Sequence, residues 1–442
     1  MEIKRENKLH RIDKEKLGIK ELIAIGVGGM IGGGIFSILG VSVNLAGNGA
    51  PLSFLIDMII ALTAGYHYVK LALTYKDDGA SYTYIKKAFP DKPWIAGIEG
   101  WIVILGYIGT LALYSFTFGA YGADLLGVSD SYFIRAVLSA AVLLFFFYIN
   151  LRGVKSSGIS EDIIVYGKIL ILFLFSIIGL LQVKTENFFP VLEKGIPSVF
   201  LGAAIIFVAY EGFQLITNAV VETENPDKNI PRGIYGSILI TGTIYFLLSI
   251  IAVGTLTYQE IISAKEYALA VVAEPILGKA GKVLIGVAAL MATSSAINST
   301  LFGASRMMAE MAETKMMPAG FAKRNRKFVP VVSLFALTFF SLIFTAFGTL
   351  TIIAEFSSLT FLVVSIGVSI ANLKLRRLTK PNFKIALLGL GLMIITTATI
   401  VIYLTVHNLE EIITIGALYA VIALTATIYI KSQNHNLLNH QS

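Results

Sequence analysis

The sequence predicts an all-α polytopic membrane protein with 12 transmembrane helices, arranged as a five-plus-five inverted repeat in which helices 1 and 6 are broken. The chain of 442 residues is 56% hydrophobic and only 14% charged, whereas a soluble domain carries about 25% charged residues. Apolar stretches of about 20 residues, the length that a helix needs to cross a bilayer, recur along the chain. Two of these stretches, five spans apart, contain glycines that interrupt them.

Loops rich in charged residues, proline and glycine separate the apolar stretches. Most of the prolines lie in loops or at span ends, so a break in the middle of a span has to come from glycine. The predicted spans are 19–46, 51–75, 94–122, 131–151, 160–183, 195–222, 230–256, 280–313, 330–350, 352–375, 384–405 and 411–430.

The distribution of the 35 Lys and Arg residues predicts the orientation. Most of them lie in the tails and in the alternate loops that share a side with the N-terminus. Since cytoplasmic loops are enriched in Lys and Arg, we expect cytoplasmic tails at 1–18 and 431–442. The basic, polar N-terminus lacks the apolar region of a signal peptide. The expected location is the plasma membrane of a prokaryote.

The first interrupted span contains "GMIGGGIF" at residues 29–36. Glycine inside a helix costs roughly 1 kcal/mol relative to alanine. The number of glycines in this motif therefore indicates a structural or functional role. Its G-x-x-x-G spacing is typical of tight helix packing, but three consecutive glycines at 32–34 go beyond a packing seam. A broken helix exposes N–H groups on one half and carbonyls on the other, and can hold the two charges of an amino acid.

The second interrupted span is the sixth, where "AYEGF" places Glu211 and Gly212 at mid-membrane depth. A pattern that recurs after five spans makes the second copy enter from the opposite side, which is typical of inverted-repeat transporters. We therefore predict a first repeat at 19–183, a second at 195–375 and two further helices at 381–430.

Five motifs resemble the amino acid–polyamine–organocation (APC) superfamily of transporters, in the same order and over nearly the whole chain. The resemblance implies the LeuT-like fold of ten helices in two inverted repeats, followed by two more. The motifs are "GMIGGGIF" (29–36), "GASYTYIKKAFP" (79–90), "NLRGVKSSG" (150–158), "AYEGFQLITNAVVETENPDKNIPRGI" (209–234) and "SSAINSTLFGASRMMAEMAE" (294–313).

The resemblance also implies a substrate site at the two breaks. The substrate carboxylate is expected at the backbone N–H groups of the glycines, and the amino group at backbone carbonyls of both broken helices. Some relatives have serine where Gly33 stands, so carboxylate binding here must rely on the backbone. The implied substrate-binding residues are Met30, Gly32, Gly33, Gly34, Val208 and Glu211.

Lys168, in "VYGKILILFLFSII", is an ionisable group inside a predicted span. A charged lysine at depth is costly and is a functional candidate by default, although it could instead extend its ammonium to the cytoplasmic surface. In a proton-coupled subgroup, which the chain resembles, a lysine at this position occupies the place of the Na⁺ of other relatives. Its expected neighbours are the Gly28 carbonyl and the hydroxyls of Ser294 or Ser295. The expected coupling ion is H⁺, without Na⁺ or any other cofactor.

Several further residues have more than one interpretation. Glu211 could balance a cationic substrate, bind a proton, or cap the broken helix as a protonated acid. Glu355, near the outer end of the tenth span, is expected to be solvated. Four aromatic residues beside the breaks are either gates or packing groups. These gate candidates are Phe36, Phe207, Tyr210 and Phe213.

The resulting prediction is a proton-coupled amino acid symporter working by alternating access, and not an enzyme. The chain has no cysteine, its five histidines lack metal-ligand spacing, and no nucleotide-binding motif is present. The expected partners are an amino acid and the lipid bilayer, and no nucleic acid. An amino acid or polyamine exchanger is the alternative within the same class, and a membrane receptor or channel is the remote one.

Overall fold

The computed structural model describes residues 16–77, 80–153 and 158–439, and these are nearly all helical. A 3-10 helix at Phe207–Glu222, called the 3-10 segment below, follows α8 directly. The α-helices are α1 Ile19–Met30, α2 Gly34–Ala46, α3 Ala50–Tyr75, α4 Ala80–Ala88, α5 Pro93–Leu125, α6 Tyr132–Leu151, α7 Gly158–Leu180, α8 Gly195–Ile206, α9 Pro226–Thr255, α10 Tyr258–Ala264, α11 Ala268–Glu313, α12 Val331–Phe347, α13 Leu350–Lys374, α14 Arg376–Thr379, α15 Phe383–His407 and α16 Leu409–Asn439.

Local sequence explains where several of these helices begin. Pro93 opens α5, where the missing N–H of proline costs nothing. The side chains of Ser131 and Thr349 accept hydrogen bonds from the N–H groups of Ile134 and Ile352, at 3.4 and 3.3 Å. Such caps satisfy donors that the first turn of a helix leaves unpaired.

Nine helical segments of the described residues are long and apolar enough to cross a membrane. Among them, α5, α8 with the 3-10 segment, and α13 bury most of their surface inside the protein, whereas α6, α15 and α16 leave most of theirs on the outside. The protein is therefore a multi-pass membrane protein in which a central group of buried helices surrounds the candidate site. The outer helices present apolar side chains to lipid.

Each of the twelve predicted spans contains a helix, and the first is divided between α1 and α2 within the glycine motif, as predicted. One boundary differs from expectation. The helix predicted at 280–313 begins at Ala268 and contains a sharp kink at Gly278, whose φ of +67° suits glycine. The number of membrane crossings and the inverted repeat stay predictions, and residues 1–15 and 440–442 of the predicted tails lie outside the described residues.

Candidate substrate site

The first broken helix opens between α1 and α2. Helix α1 ends at Met30 and α2 begins at Gly34, and residues 31–33 form a turn between them. The φ and ψ of Ile31 are −81° and 42°, outside helical geometry, although its N–H still donates to the Val27 carbonyl at 2.7 Å. The chain thus leaves the helix inside the glycine motif.

Two tyrosines donate to carbonyls that the turn frees. The Tyr245 hydroxyl donates to the Met30 carbonyl oxygen at 2.6 Å. The Tyr114 hydroxyl donates to the Gly29 carbonyl oxygen at 3.4 Å. The last turn of α1 is therefore held by donors from α5 and α9, and a substrate amino group at Met30 has to share that carbonyl with Tyr245.

The other side of the turn is the N-terminus of α2. The residue before it, Gly33, has no side chain with which to cap the helix. A Cβ atom on Gly33 would strike the Tyr114 ring, and one on Gly34 would lie 2.5 Å from the Tyr245 hydroxyl oxygen. The first N–H groups of a helix have no partner within it, so this end of α2 offers backbone donors to an anion.

The second broken helix changes its hydrogen-bonding type rather than opening into a turn. Helix α8 ends at Ile206 and continues as the 16-residue 3-10 segment, although 3-10 runs beyond three or four residues are uncommon. At the junction the Ser358 hydroxyl accepts from the Val208 N–H at 3.0 Å and donates to the Ile205 carbonyl at 2.6 Å. The change therefore lies before the predicted Glu211–Gly212 position, because Ser358 bonds to the backbone there.

The two interrupted helices touch through glycine backbones. A Cβ atom on Gly29 would lie 2.9 Å from the Gly212 Cα. A Cβ atom on Gly212 would fall against the Gly29 carbonyl carbon and the Met30 nitrogen. Beside them, Gly32 faces Ala296 of α11 at a distance that also leaves no room for a side chain. The glycine motif thus permits both the turn and the close packing.

A small cavity of about 20 Å³ lies between these backbones. Its volume is close to that needed for one water molecule, so the site is closed in this conformation. Among the predicted substrate-binding residues Glu211 lines the cavity, whereas Met30, Gly32, Gly33, Gly34 and Val208 do not. The lining is Gly29, Tyr107, Thr110, Tyr114, Glu211, Gly212, Gln214, Leu215, Ala296, Ser299, Thr300 and Phe361.

Sequence reasoning missed the polar face of α5 in this lining. Tyr107, Thr110 and Tyr114 are spaced by three and four residues, which places them on one face of a helix. They occur in "YIGTLALY", within a span that is largely apolar. That spacing of polar groups in an apolar helix is the signal that could have identified them.

Glu211 lies at the cavity with little access to solvent. Its residue is 6% exposed, and neither carboxyl oxygen has a hydrogen-bond partner among the described residues. An ionised carboxyl group in such surroundings is costly unless a cation or donor reaches it. Glu211 is therefore placed to meet a positively charged group in the cavity or to hold a proton.

Lys168 is buried in α7 and reaches the first broken helix. Its residue is 2% exposed, and its Nζ donates to the Ile31 carbonyl oxygen at 3.3 Å. This acceptor lies three residues after Gly28, and the predicted contacts of Lys168 with the Gly28 carbonyl and with Ser294 or Ser295 stay predictions. The observed bond connects the ammonium to the opened turn itself.

The four gate candidates are all buried, and three of them pack against other aromatic rings. Phe36 meets Tyr121 edge to face at 5.9 Å, and Phe213 meets Tyr68 at 5.5 Å. Tyr210 meets Tyr245 at 5.3 Å, and Phe207 is fully buried. In this closed conformation the four side chains belong to the packing around the breaks.

Glu355 differs from its expected environment. It was expected to be solvated because it lies near the beginning of α13, but its residue is only 1% exposed. Side chains of α12 and α16 cover this part of α13: Phe356, next to Glu355, meets Phe344 of α12 at 5.1 Å and Tyr419 of α16 at 6.2 Å. The expectation of a solvated carboxyl group was wrong.

Comparison with known proteins identifies the class of this membrane protein. Residues 17–434 match the amino acid permease family. The chain belongs to the amino acid permease family. The predicted APC relationship and the prediction of a transporter rather than an enzyme are thereby confirmed.

Relatives of this permease come from both archaea and bacteria. An uncharacterised protein of Methanocaldococcus jannaschii is 33% identical over 362 residues, covering 82% of this chain and 83% of that protein. The branched-chain amino acid permease BcaP of Bacillus subtilis is 26% identical over 385 residues, covering 82% of each chain. The serine/threonine exchanger SteT of the same organism is 26% identical over 313 residues, covering 69% of this chain and 70% of SteT.

Proposed function

We propose that this permease is a proton-coupled amino acid symporter that works by alternating access in the plasma membrane of a prokaryotic cell, with both termini in the cytoplasm. The observation that carries the proposal is the 3.3 Å contact between Lys168 Nζ and the Ile31 carbonyl oxygen. A titratable cation inside the membrane thereby touches the turn at which the first helix opens. Protonation and the shape of the substrate site can then influence each other.

The substrate binds between the opened halves of the two broken helices. Its carboxylate lies against the N–H groups of Gly33 and Gly34, where the N-terminus of α2 has a partial positive charge. Its amino group faces the carbonyls of Met30, Val208 and Glu211. A carbonyl oxygen has two lone pairs, so Met30 can accept from the substrate while Tyr245 remains bound. The cavity of about 20 Å³ widens as the surrounding helices move apart.

Coupling follows from the charge of Lys168. A hydrogen bond from a charged donor contributes about 1.5–3 kcal/mol, compared with about 1 kcal/mol for a neutral one. Loss of the proton therefore weakens the bond to Ile31 by about 1 kcal/mol, which changes the ratio of two conformations about fivefold. The protonated ammonium takes the role that Na⁺ has in other relatives, so the coupling ion is H⁺ and Na⁺ is not required.

The substrate class follows from the lining of the cavity and from the relatives. Glycine, tyrosine and phenylalanine walls favour an amino acid with a neutral side chain. The name of BcaP makes leucine, isoleucine and valine the first probes. The buried carboxyl group of Glu211 keeps a cationic amino acid or amine open as an alternative.

Uptake into proteoliposomes tests the proposal. With an inward pH gradient and no Na⁺, labelled substrate accumulates above equilibrium, and a protonophore abolishes the accumulation. Lys168→Ala loses this dependence on the gradient. Lys70→Ala is the matched control, because Lys70 lies in α3 and donates to the Lys380 carbonyl at 3.4 Å, away from the breaks. If Lys168→Ala retains normal pH-driven accumulation, the coupling role is refuted.

An exchanger is the second candidate, and the name of SteT favours it. Uptake that appears only when the lumen is preloaded with amino acid identifies an exchanger. In that case Lys168 is a fixed structural cation. A channel or receptor shows no stimulation by substrate on the opposite side of the membrane.

A further inference from the structure

A groove of about 1140 Å³ lies between α5, α12, α13 and α16. It shares no lining residue with the cavity at the broken helices. Its walls are mostly apolar: α12 contributes Ala336, Phe340 and Phe347, and α16 contributes Leu418 and Ile422. The groove is therefore separate from the candidate substrate site and is suited to an apolar occupant.

The groove is elongated along the helix axes. Its lining on α16 extends from Leu409 to Ile422 and on α12 from Ala336 to Phe347. At 1.5 Å per residue these stretches are about 20 and 16 Å long. One leaflet of a bilayer has a hydrocarbon depth of about 15 Å. An acyl chain of a membrane lipid matches this length.

One end of the groove is acidic. Glu410 and Glu411 line it at the turn between α15 and α16, next to His407. Glu355 lines it one and a half turns into α13. No lysine or arginine is among the described residues that line the groove. An occupant with a positively charged end complements this arrangement.

Glu355 provides a specific contact within the acidic end. Its residue is 1% exposed, and its carboxyl group faces the carboxyl group of Glu411 in α16. Buried polar groups are normally hydrogen-bonded, and buried charges are normally paired with a cation. Two facing carboxyl groups supply neither a cation nor an N–H donor to each other, so the complementary group is a cation that also carries N–H donors. A primary ammonium group meets both requirements, whereas a quaternary ammonium has no hydrogen to donate.

We propose that this groove binds a membrane phospholipid with a primary-ammonium headgroup, of the phosphatidylethanolamine type. Its acyl chain lies along α12 and α16, and its ammonium donates to the Glu355 carboxylate. The bilayer is the source of the occupant, because the groove is as long as a lipid tail and the outer helices face lipid. This site is independent of the proposed transport mechanism.

Native mass spectrometry of the purified full chain tests the assignment. The probes are phosphatidylethanolamine and phosphatidylcholine with identical acyl chains. The wild type is expected to bind phosphatidylethanolamine at least about tenfold more tightly than phosphatidylcholine, because only the primary ammonium can donate a charge-assisted hydrogen bond. Glu355→Gln is expected to reduce this preference to about twofold or less. Glu186→Gln, an exposed carboxyl group outside the groove, keeps the wild-type preference.

A second variant tests the groove without changing Glu355, in case Glu355→Gln does not fold. Ala336→Phe fills the apolar part of the groove and leaves the carboxyl group in place, so it is expected to weaken binding of both lipids. Equal binding of the two lipids by the wild type refutes the ammonium assignment. Undiminished binding by Ala336→Phe refutes the groove as the location. Both readouts are binding measurements, so they stand whether or not the protein proves to be a symporter.

Discussion

The backbones of Gly29 and Gly212 pack directly against each other in the substrate site. A Cβ atom at Gly212 would meet the Gly29 carbonyl carbon and the Met30 nitrogen, which are backbone atoms and cannot rotate away. The two broken helices can therefore touch only if residue 212 has no side chain. A single methyl group is enough to separate them.

Gly212→Ala is accordingly expected to lower the free energy of unfolding by about 3 kcal/mol or more, because overpacking forces backbone to shift. Gly303→Ala is the matched control, since no atom lies within 4 Å of its added Cβ. That change lies in the interior of α11 and is expected to stabilise the protein by about 0.5–1 kcal/mol. Thermal unfolding of both purified variants in detergent measures the difference. Equal melting temperatures would show that the contact is not strained.

Two ionisable residues show what sequence can and cannot predict at this scale. The depth of Lys168 could be read from the apolar residues around it, and the structure buries it. Its bond to the Ile31 carbonyl could not, because it depends on how α7 packs against the turn after α1. Glu355 was wrongly expected to be solvated, because nothing local to it reveals that α12 and α16 enclose it.

At the level of elements, the 3-10 segment is unusual for its length of 16 residues. Ser358 of α13 bonds to Val208 and Ile205, on either side of the junction where α8 becomes the 3-10 segment. The sequence predicted an interruption in the sixth span from its glycine and glutamate. It could not predict the position of the change, because the serine responsible lies 150 residues from Val208 in the chain.

Removal of the Ser358 hydroxyl tests this explanation. Ser358→Ala leaves a buried N–H and a buried carbonyl without that partner, at an expected cost of about 2–4 kcal/mol in the free energy of unfolding. Ser357→Ala is the control, because the Ser357 hydroxyl donates only within its own helix, to Ile353 at 2.6 Å, and its loss is expected to cost about 1 kcal/mol or less. Chemical or thermal unfolding compares the two variants. Equal destabilisation would mean that the junction does not depend on Ser358.

In the whole molecule, hydrogen bonds join α1 to the 3-10 segment and α2 to the start of α8. Each such connection is called a tie below. On one side of the breaks, Leu17 before α1 exchanges backbone hydrogen bonds of 2.9 Å with Glu222 and Glu224 at the end of the 3-10 segment. On the other side, Lys194 before α8 donates to the Asn44 carbonyl in α2 at 2.5 Å. Composition and hydrophobic pattern predict the helices, but such ties join distant segments and depend on the assembled fold. They make each pair of half-helices a unit that can move together.

The Lys194 tie makes a prediction about opening of the site. Besides Asn44, the ammonium donates to the Tyr258 hydroxyl at 2.6 Å and lies 4.4 Å from the Tyr258 ring centre, so it joins α2 to α10. Lys194→Met removes these contacts and is expected to shift the molecule toward conformations that are open on this side. Since the chain has no cysteine, a single Ser42→Cys substitution in α2 provides a clean reporter, and Ser42 is 1% exposed in the closed conformation.

Labelling of that cysteine by a maleimide in detergent is expected to become several-fold faster when Lys194→Met is added. Lys279→Met is the matched control, because Lys279 is exposed and lies outside the Asn44–Tyr258 contact. An unchanged labelling rate in Lys194→Met would mean that the contacts of Lys194 do not hold this side closed. A faster rate together with faster exchange of substrate would show that the tie limits access to the site. The contact of Lys194 with Asn44 and Tyr258 would then oppose opening on this side of the breaks.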